Sequence, residues 1–203
     1  MISDEISAKA FVAELVDAAA MERLEFLCRA LREENQQQNL ISKPSEAQIW
    51  QRHIADSAQL LRYVPRETSG IWMDLGTGAG FPGLVIAAMQ PERQVVLVES
   101  RARRIDWLTR AVEGMGLVKC SVAGGRLELL EPFPARVISA RAFAPLQKLL
   151  RLSAPFSTSE TTYLLPKGRS AAQELAELPK KSRRLFHVEQ SLTDPDAGII
   201  VST

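Results

Sequence analysis

The order of apolar and polar positions divides the chain into a helical beginning and an alternating remainder. Residues 3–38 are rich in Ala and Leu. Ser3 can serve as an N-cap, and Asp4 and Glu5 suit the first turn of a helix. We therefore expect residues 3–38 to form a helix.

A second helix is predicted to begin at Ser45, because Ser45 and Gln48 have the spacing of a capping box. Apolar residues then recur at helical spacing and define the expected buried stripe. The stripe consists of Ala47, Trp50, Ile54, Ala58 and Leu61. His53, Asp56 and Ser57 lie at positions i, i+3 and i+4, so they share a neighbouring face of this helix. We expect them to fix the N-terminal helices to the sheet, and a role in catalysis is the alternative that the sequence leaves open.

From residue 65 the pattern changes to short β-rich runs that alternate with helical runs. The predicted strands are 71–75, 95–98, 118–122, 137–139, 161–165, 184–188 and 199–201. The predicted helices are 83–89, 102–115, 146–152 and 171–178. This alternation is typical of an α/β protein with a mostly parallel sheet, and the last two strands predict an antiparallel edge hairpin. We expect a helical extension at 1–64, packed on an α/β domain at 65–203.

Composition is that of a protein with an ordinary hydrophobic core. The chain has 203 residues, of which 46% are apolar, and a formal net charge of +1. It has neither a secretory signal nor the roughly 18–20 consecutive apolar residues of a membrane span, so we expect a cytoplasmic protein with no membrane partner. Cys28 and Cys120 lack metal-binding spacing, so we expect reduced, buried thiols and no metal site.

A glycine-rich segment, Asp-Leu-Gly-Thr-Gly-Ala-Gly-Phe-Pro-Gly at 74–83, lies between the first predicted strand and a helix. Glycines here permit positive φ angles and let a ligand approach the backbone. Gly78, Gly80 and Gly83 match the dinucleotide fingerprint. Asp74 with the glycines at 76, 78 and 80 matches the first motif of S-adenosylmethionine-dependent enzymes. Two classes of cofactor therefore compete for this turn.

Asp74 favours the methyl donor. A carboxylate at the strand end suits the cationic methionine part of S-adenosylmethionine and would repel a pyrophosphate, and Pro82 falls inside the dinucleotide turn. Glu99, at the end of the second predicted strand, can accept hydrogen bonds from ribose hydroxyls. NAD-dependent enzymes use the same device, so Glu99 supports a nucleoside cofactor of either class.

Several separated motifs between about residues 39 and 168 resemble those of one bacterial family. They are Asn39-Leu40, Arg52-His53-Ile54-x-Asp56-Ser57, the turn at 74–83, Leu97-Val98-Glu99-Ser100, Gly125-Arg126-x-Glu128, Ser139-x-Arg141-Ala142-x-Ala144 and Lys167-Gly168. With these motifs, the chain resembles the small-subunit ribosomal RNA guanosine-N7 methyltransferases, the RsmG or glucose-inhibited division protein B family. It departs from the family pattern at Ala135-Arg136, where an acidic residue is common, which puts in doubt any role for an acid there.

The resemblance implies a Rossmann-like class I methyltransferase fold with a seven-stranded sheet, and S-adenosylmethionine as the cofactor. It implies that the acceptor is N7 of a guanosine in 16S ribosomal RNA and that the partner is this RNA or the small ribosomal subunit. By position, the cofactor contacts of the family correspond to Gly76, Phe81, Leu127, Glu128 and Arg141. With the turn and the second strand end, the candidate cofactor-binding residues are Asp74, Gly76, Thr77, Gly78, Gly80, Phe81, Glu99, Leu127, Glu128 and Arg141.

Guanine N7 carries a lone pair and no proton at neutral pH, so its methylation requires no general base. We expect catalysis by positioning, with Asp74 and Arg141 as the possible catalytic residues. Basic residues near the crevice would contact phosphates. The candidates for RNA binding are Arg101, Arg103, Arg104, Arg141 and Lys167. We expect a monomer.

Two other classes of function remain open at the level of sequence. The first is an NAD-dependent oxidoreductase that uses Gly78, Gly80, Gly83 and Glu99. The second is a non-catalytic RNA binder in ribosome assembly that has kept the fold. Asp74 and the intact glycine turn argue against a protein that has lost its cofactor.

Overall fold

A seven-stranded sheet with the strand order β3-β2-β1-β4-β5-β7-β6 organises the molecule. The computed structural model describes residues 1–65 and 67–203. The strands are β1 Ile71–Leu75, β2 Val95–Glu99, β3 Cys120–Gly124, β4 Ala135–Ser139, β5 Thr162–Gly168, β6 Phe186–Gln190 and β7 Gly198–Ser202. Strands β1 to β5 are parallel, and β7 runs antiparallel to both β5 and β6. The predicted parallel sheet with an antiparallel edge hairpin is confirmed.

The helices are α1 Glu5–Ala13, α2 Ala18–Asn35, α3 Lys43–Glu46, α4 Asp56–Ala58, α5 Gly83–Met89, α6 Ala102–Gly114, α7 Leu146–Ser153, α8 Ala171–Ala176 and α9 Lys180–Arg183. A π-helix at Trp50–Ala55 precedes α4, and a 3₁₀-helix at Gln59–Tyr63 follows it. No helix within 1–65 or 67–203 is long and apolar enough to cross a membrane.

The central strands are apolar runs because helices cover both of their faces. All five residues of β2 are buried, and four of the five in β1 are buried. The chain order reverses at β1, which lies between β2 and β4. A ligand crevice is expected at the carboxyl ends of strands at such a reversal. The fold therefore brings together the segments that follow β1, β2 and β4.

The N-terminal region forms two helices, so the prediction of a single helix over 3–38 was wrong. Asp4, and not Ser3, caps α1, and the side chain of Asp17 caps α2 by accepting from the backbone N–H of Ala20. Both carboxylates satisfy free N–H groups of a first turn, as Ser, Thr, Asp and Asn do at this position. The cap at Asp17 permits a break that the continuous Ala-rich composition concealed.

The region after residue 42 departs most from its prediction. The cap is the Ser42 side chain, which accepts from the backbone N–H of Ser45, so Ser45 does not begin this helix. The π-helix adds a residue per turn and rotates the face that follows. As a result Leu60 is fully buried, while Leu61 of the predicted stripe is only partly buried. Ala47 lies before the π-helix, at the C-cap of α3, and is exposed.

Smaller corrections concern the ends of strands. Strand β3 begins at Cys120 and not at Val118, which is 92% exposed in the preceding turn. Strand β6 begins at Phe186 because α9 takes up the preceding basic residues. Cys28 and Cys120 are free and buried, as expected, and burial raises the pKa of each thiol to about 12.

Candidate functional site

The glycine turn after β1 is held in shape by hydrogen bonds from both sides. Gly76 and Gly78 have φ angles of +60° and +62°, which L-residues rarely adopt. The backbone N–H of Thr77 donates to the Val98 carbonyl at 3.1 Å, and the Trp107 indole N–H donates to the Ala79 carbonyl at 3.0 Å. The turn is therefore tied to both β2 and α6.

Glu99 closes this turn from the end of β2. Its Oε2 accepts from the backbone N–H of Gly78 at 3.1 Å, and its Oε1 accepts from those of Ser100 and Arg101 at 2.7 and 3.0 Å. The Arg104 guanidinium lies 3.8 Å from Oε2. A carboxylate oxygen has two lone pairs, so Oε2 keeps one available for a further donor such as a hydroxyl.

Asp74 lies beneath the turn and is fully buried. Its Oδ2 accepts from the backbone N–H of Gly83 at 3.0 Å, and its Oδ1 accepts from the Ser139 hydroxyl at 2.7 Å. Ser139 in turn accepts from the Trp72 indole N–H at 2.9 Å. Burial raises the pKa of the Asp74 carboxyl to about 6, against the lowering by its hydrogen bonds with Ser139 and Gly83. Asp74 thus joins β1, β4 and the start of α5 through one buried network.

Two cavities lie at this edge of the sheet. The smaller one, of about 380 Å³, opens above the turn between the ends of β2 and β3. Its lining includes Gly76, Glu99, Leu127 and Glu128. The apolar Leu127 side chain and the Glu99 carboxylate suit the base and the ribose of a nucleoside, and the volume is in the range of small-ligand sites. The residues present therefore fit the nucleoside part of a cofactor.

A larger cavity of about 1040 Å³ lies on the other side, at the ends of β4, β5 and β7. Ala142, Phe143 and Ala144 line both cavities and so form the wall between them. A Cβ atom at Gly76 would come within 2.5 Å of the Phe143 ring, which shows how closely this ring packs over the turn. Ala142 has a φ angle of +54°. The two cavities meet at one short segment after β4.

Arg141 lies on the larger cavity, where residues from the π-helix and α4 surround it. Its Nη1 donates to the Arg52 carbonyl at 3.1 Å and lies 3.5 Å from the Asp56 carboxylate. Its Nη2 lies 3.0 Å from Nδ1 of His53, and its guanidinium is 5.1 Å from the centre of the Phe81 ring. This arrangement fixes the guanidinium next to Phe81 of the glycine turn.

Lys167 is directed inward. Its ammonium donates to the Ala144 carbonyl at 2.6 Å and pairs with Glu174 at 2.9 Å, and its side chain is 6% exposed. Glu174 also accepts from the backbone N–H of Leu146 at the start of α7. Lys167 therefore holds the segment after β4 in place. We had expected its ammonium to contact phosphate.

Comparison with known proteins adds evidence from sequence. The GidB family, described as rRNA small subunit methyltransferase G, matches residues 20–195. The chain belongs to the GidB family. It is 65% identical to the ribosomal RNA small subunit methyltransferase G of Erythrobacter litoralis (strain HTCC2594), over 99% of this chain and 97% of that protein. It is 55% identical to the protein of the same name from Novosphingobium aromaticivorans, over 97% of this chain and 87% of the relative.

Solved structures support the fold alone. The ribosomal protein L11 methylase from Lactobacillus delbrueckii subsp. bulgaricus superposes with a TM-score of 0.56 at 13% identity, over 73% of this chain and 76% of that one. The precorrin-6y C5,15-methyltransferase from Geobacter metallireducens GS-15 gives 0.54 at 12% identity, over 82% and 91%. The expected class I methyltransferase fold is confirmed, and the family makes S-adenosylmethionine the methyl donor. Family membership disfavours both the oxidoreductase and the non-catalytic alternative.

All predicted site residues except Arg103 fall into three groups in the GidB fold. Gly76, Glu99, Leu127, Glu128, Arg101 and Arg104 line the smaller cavity. Arg141 and Lys167 line the larger one. Asp74, Thr77, Gly78, Gly80 and Phe81 form the turn or lie buried under it. Arg103 is exposed on α6, where its carbonyl accepts from the Gln38 side chain at 3.1 Å.

Two features of the site escaped the sequence reasoning. Phe143 lies within the motif at 139–144, but an aromatic residue after a strand carries no signal of what it covers. The contact of His53 with both Arg141 and Phe81 joins residues far apart in the chain. The His-x-x-Asp-Ser motif was the available signal, but periodicity could not reveal what its side chains face.

Proposed function

We propose that this chain transfers the methyl group of S-adenosylmethionine to N7 of a guanosine in small-subunit ribosomal RNA. The observation that carries the proposal is the meeting of two cavities at the segment after β4, in a member of the GidB family. One cavity has the features of a nucleoside site, and the other is wide enough for a base turned out of an RNA strand.

The smaller cavity is the proposed site of the adenosine part of the cofactor. Glu99 would accept from the ribose hydroxyls through the free lone pair of Oε2, and Leu127 would pack on the base. Glu128 lies on the same wall and offers acceptors to the base edge. When bound, the cofactor supplies an activated methyl group on a sulfonium, and the glycines of the turn let the backbone approach it.

Asp74 acts through the turn in this proposal. Its carboxylate holds the N-terminus of α5 and the end of β4, and its negative charge lies under the place where a cationic cofactor would sit. The structure assigns both oxygens to protein donors, so the expected effect of Asp74 on a sulfonium is electrostatic and acts over a distance.

The acceptor guanosine would enter the larger cavity. Guanine N7 needs no proton removed, so the side chains of this cavity orient the base and exclude water, and none has to act as a general base. Arg141 lines the larger cavity, and Phe143 lines both cavities. A guanidinium donates and cannot accept, so it complements the O6 acceptor of guanine and disfavours the amino group of adenine.

The RNA strand is proposed to cross the rim of the smaller cavity. Arg101, Arg104, Arg126 and Lys148 line this cavity, and Arg101, Arg126 and Lys148 are exposed. Such side chains supply phosphate contacts that position an RNA without reading its sequence. Lys167 is left out of this surface because its ammonium is paired. We propose further that the enzyme acts as a monomer in the cytoplasm.

Two measurements with the purified chain test the proposal. Calorimetry should detect binding of S-adenosylmethionine and none of NAD, and labelled methyl groups should pass to small ribosomal subunits from cells that lack this modification. Binding of NAD alone would overturn the cofactor assignment. Binding of S-adenosylmethionine without transfer of label to RNA would overturn the proposed substrate.

A further inference from the structure

Arg141 is held by three acceptors that belong to one short stretch of the chain. They are the backbone carbonyl of Arg52, Nδ1 of His53 and the carboxylate of Asp56, at 3.1, 3.0 and 3.5 Å. The Asp56 carboxylate is itself fixed, because it accepts from the Thr193 hydroxyl at 2.8 Å and from the Gln59 amide at 2.9 Å. The orientation of the guanidinium is thus set by groups outside the sheet that carries Arg141.

The hydrogen bond determines the tautomer of His53. A guanidinium can only donate, so Nδ1 of His53 must accept and the ring proton must lie on Nε2. Nε2 is buried and has no hydrogen-bond partner among residues 1–65 and 67–203. Burial, followed by the charges of Arg141 and Arg52, lowers the pKa of His53 to about 3, so the ring is neutral at ordinary pH.

The imidazole ring also touches the glycine turn. It stacks on Phe81 with a centroid distance of 4.7 Å and an interplanar angle of 14°. The guanidinium of Arg141 lies 5.1 Å from the same Phe81 ring. His53, Phe81 and Arg141 therefore form one packed group between the π-helix, the turn after β1 and the end of β4.

We propose that His53 is a positioning residue that orients Arg141 for methyl transfer by accepting its hydrogen bond at Nδ1. This inference rests on the proposed assignment of Arg141 to the acceptor side of the site. A ring kept for packing alone would serve as well without nitrogen atoms, since Nε2 is a buried donor with no partner in the part of the chain that the structure describes. The imidazole differs from a phenyl ring here by the one acceptor that it offers to Arg141.

Two substitutions separate the acceptor from the packing. His53→Asn places an amide oxygen near the position of Nδ1 but loses the stack on Phe81. His53→Phe keeps a stacked ring but has no acceptor. We expect His53→Asn to stay within about threefold of the parent in kcat/KM, and His53→Phe to lose roughly 10- to 100-fold, as misplaced catalytic groups do.

Controls connect this loss to Arg141. Arg141→Ala should be impaired, and adding His53→Phe to it should cause little further loss, because residues that act as a unit are not additive. His187→Phe is the matched control, since His187 is exposed on β6 and should be silent. Melting temperatures should show that His53→Phe remains folded at the assay temperature.

Three outcomes would overturn the inference. They are a fully active His53→Phe variant, an Asn variant weaker than the Phe variant, and losses that multiply in the double variant. Full activity of Arg141→Ala would also overturn it. Absence of N7 methylation by the parent protein is a different failure, because it removes the proposed function and not the hydrogen bond between His53 and Arg141.

Discussion

His53 and Asp74 are buried beside the glycine turn, and burial shifts their pKa values in opposite directions. The pKa of His53 falls from its ordinary 6.5 to about 3, and that of Asp74 rises from 3.8 to about 6. Burial disfavours the charged form in both cases. Between about pH 3.8 and 6 the folded protein holds a proton on Asp74 that the unfolded chain releases, so Asp74 lowers the free energy of unfolding as pH rises. The effect of His53 is the opposite, and it raises the free energy of unfolding as pH rises.

The pH dependence of stability should change when His53 is replaced by Phe. Below pH 6.5 the unfolded chain protonates this histidine while the folded protein does not, until about pH 3. Through His53, the free energy of unfolding therefore falls by about 2 kcal/mol between pH 7 and pH 5. Urea unfolding of the parent and of His53→Phe at several pH values measures this difference. The contribution of Asp74 is the same in both proteins and cancels in the comparison. Parallel pH profiles of the two proteins would show that folding does not lower the pKa of His53.

Gly76→Ala should weaken cofactor binding by roughly tenfold or more. A Cβ there meets the Phe143 ring at 2.5 Å and so forces the segment after β4 to move. Gly116→Ala is the matched control, because its φ of +64° resembles the +60° of Gly76, while, apart from its two chain neighbours, no heavy atom of residues 1–65 and 67–203 lies within 4 Å of its Cβ. Both variants bear a strain of about 1–2 kcal/mol. Equal cofactor affinities in calorimetry would contradict the close approach at Gly76.

At the scale of elements, most of the sheet could be predicted and the helical region before it could not. The runs that became β1, β2 and β4 are apolar and bounded by turns, so their positions follow from local pattern. The π-helix at 50–55 leaves no such pattern, because it depends on packing against α1 and the neighbouring loops. The sequence therefore indicates His53, Asp56 and Arg141 separately, but not the contact that joins them.

The same limit applies to the site. Gly76 and Glu99 were identified from their places after strands, because parallel strands bring their carboxyl ends to one edge. The inward direction of Lys167 and the covering position of Phe143 depend on contacts with Glu174 and Gly76, which only the folded chain brings together. Motifs identified the elements of the crevice, and packing decided which side chains face it.

The packing of α2 on α6 should not tolerate a larger residue at Gly114. A Cβ there would collide with the Phe26 ring. Alanine favours helix over glycine by about 1 kcal/mol, but overpacking costs about 1–3 kcal/mol. Gly114→Ala should therefore lower the melting temperature, and Phe26→Leu should remove that effect in the double variant. A higher melting temperature for Gly114→Ala alone would show that the contact yields easily.

At the scale of the whole molecule, the N-terminal helices share a core with the sheet domain. One hydrophobic cluster contains Leu27 and Leu31 of α2 together with Ala88 of α5 and Leu108 of α6. Arg110 of α6 also pairs with Glu34 of α2 at 2.8 Å. The boundary that we expected near residue 64 thus runs through a continuous core.

The chain should consequently unfold in one transition. Because α2 covers α5 and α6, calorimetric and van't Hoff enthalpies should agree, and deletion of residues 1–38 should leave a protein without a cooperative transition. Circular dichroism and intrinsic fluorescence should report the same midpoint. Two separate transitions, or a folded deletion variant, would show that the helical extension is an independent unit.

The central claim is the transfer of a methyl group to guanosine N7, and the most direct measurement is to map the methylated atom. Small ribosomal subunits that lack the modification are incubated with the enzyme and S-adenosylmethionine, and the RNA is then cleaved at N7-methylguanosine. We predict cleavage at one guanosine, and none when S-adenosylmethionine is omitted. Methylated RNA that resists this cleavage would contradict the N7 assignment, and unmethylated RNA would contradict the proposed reaction itself.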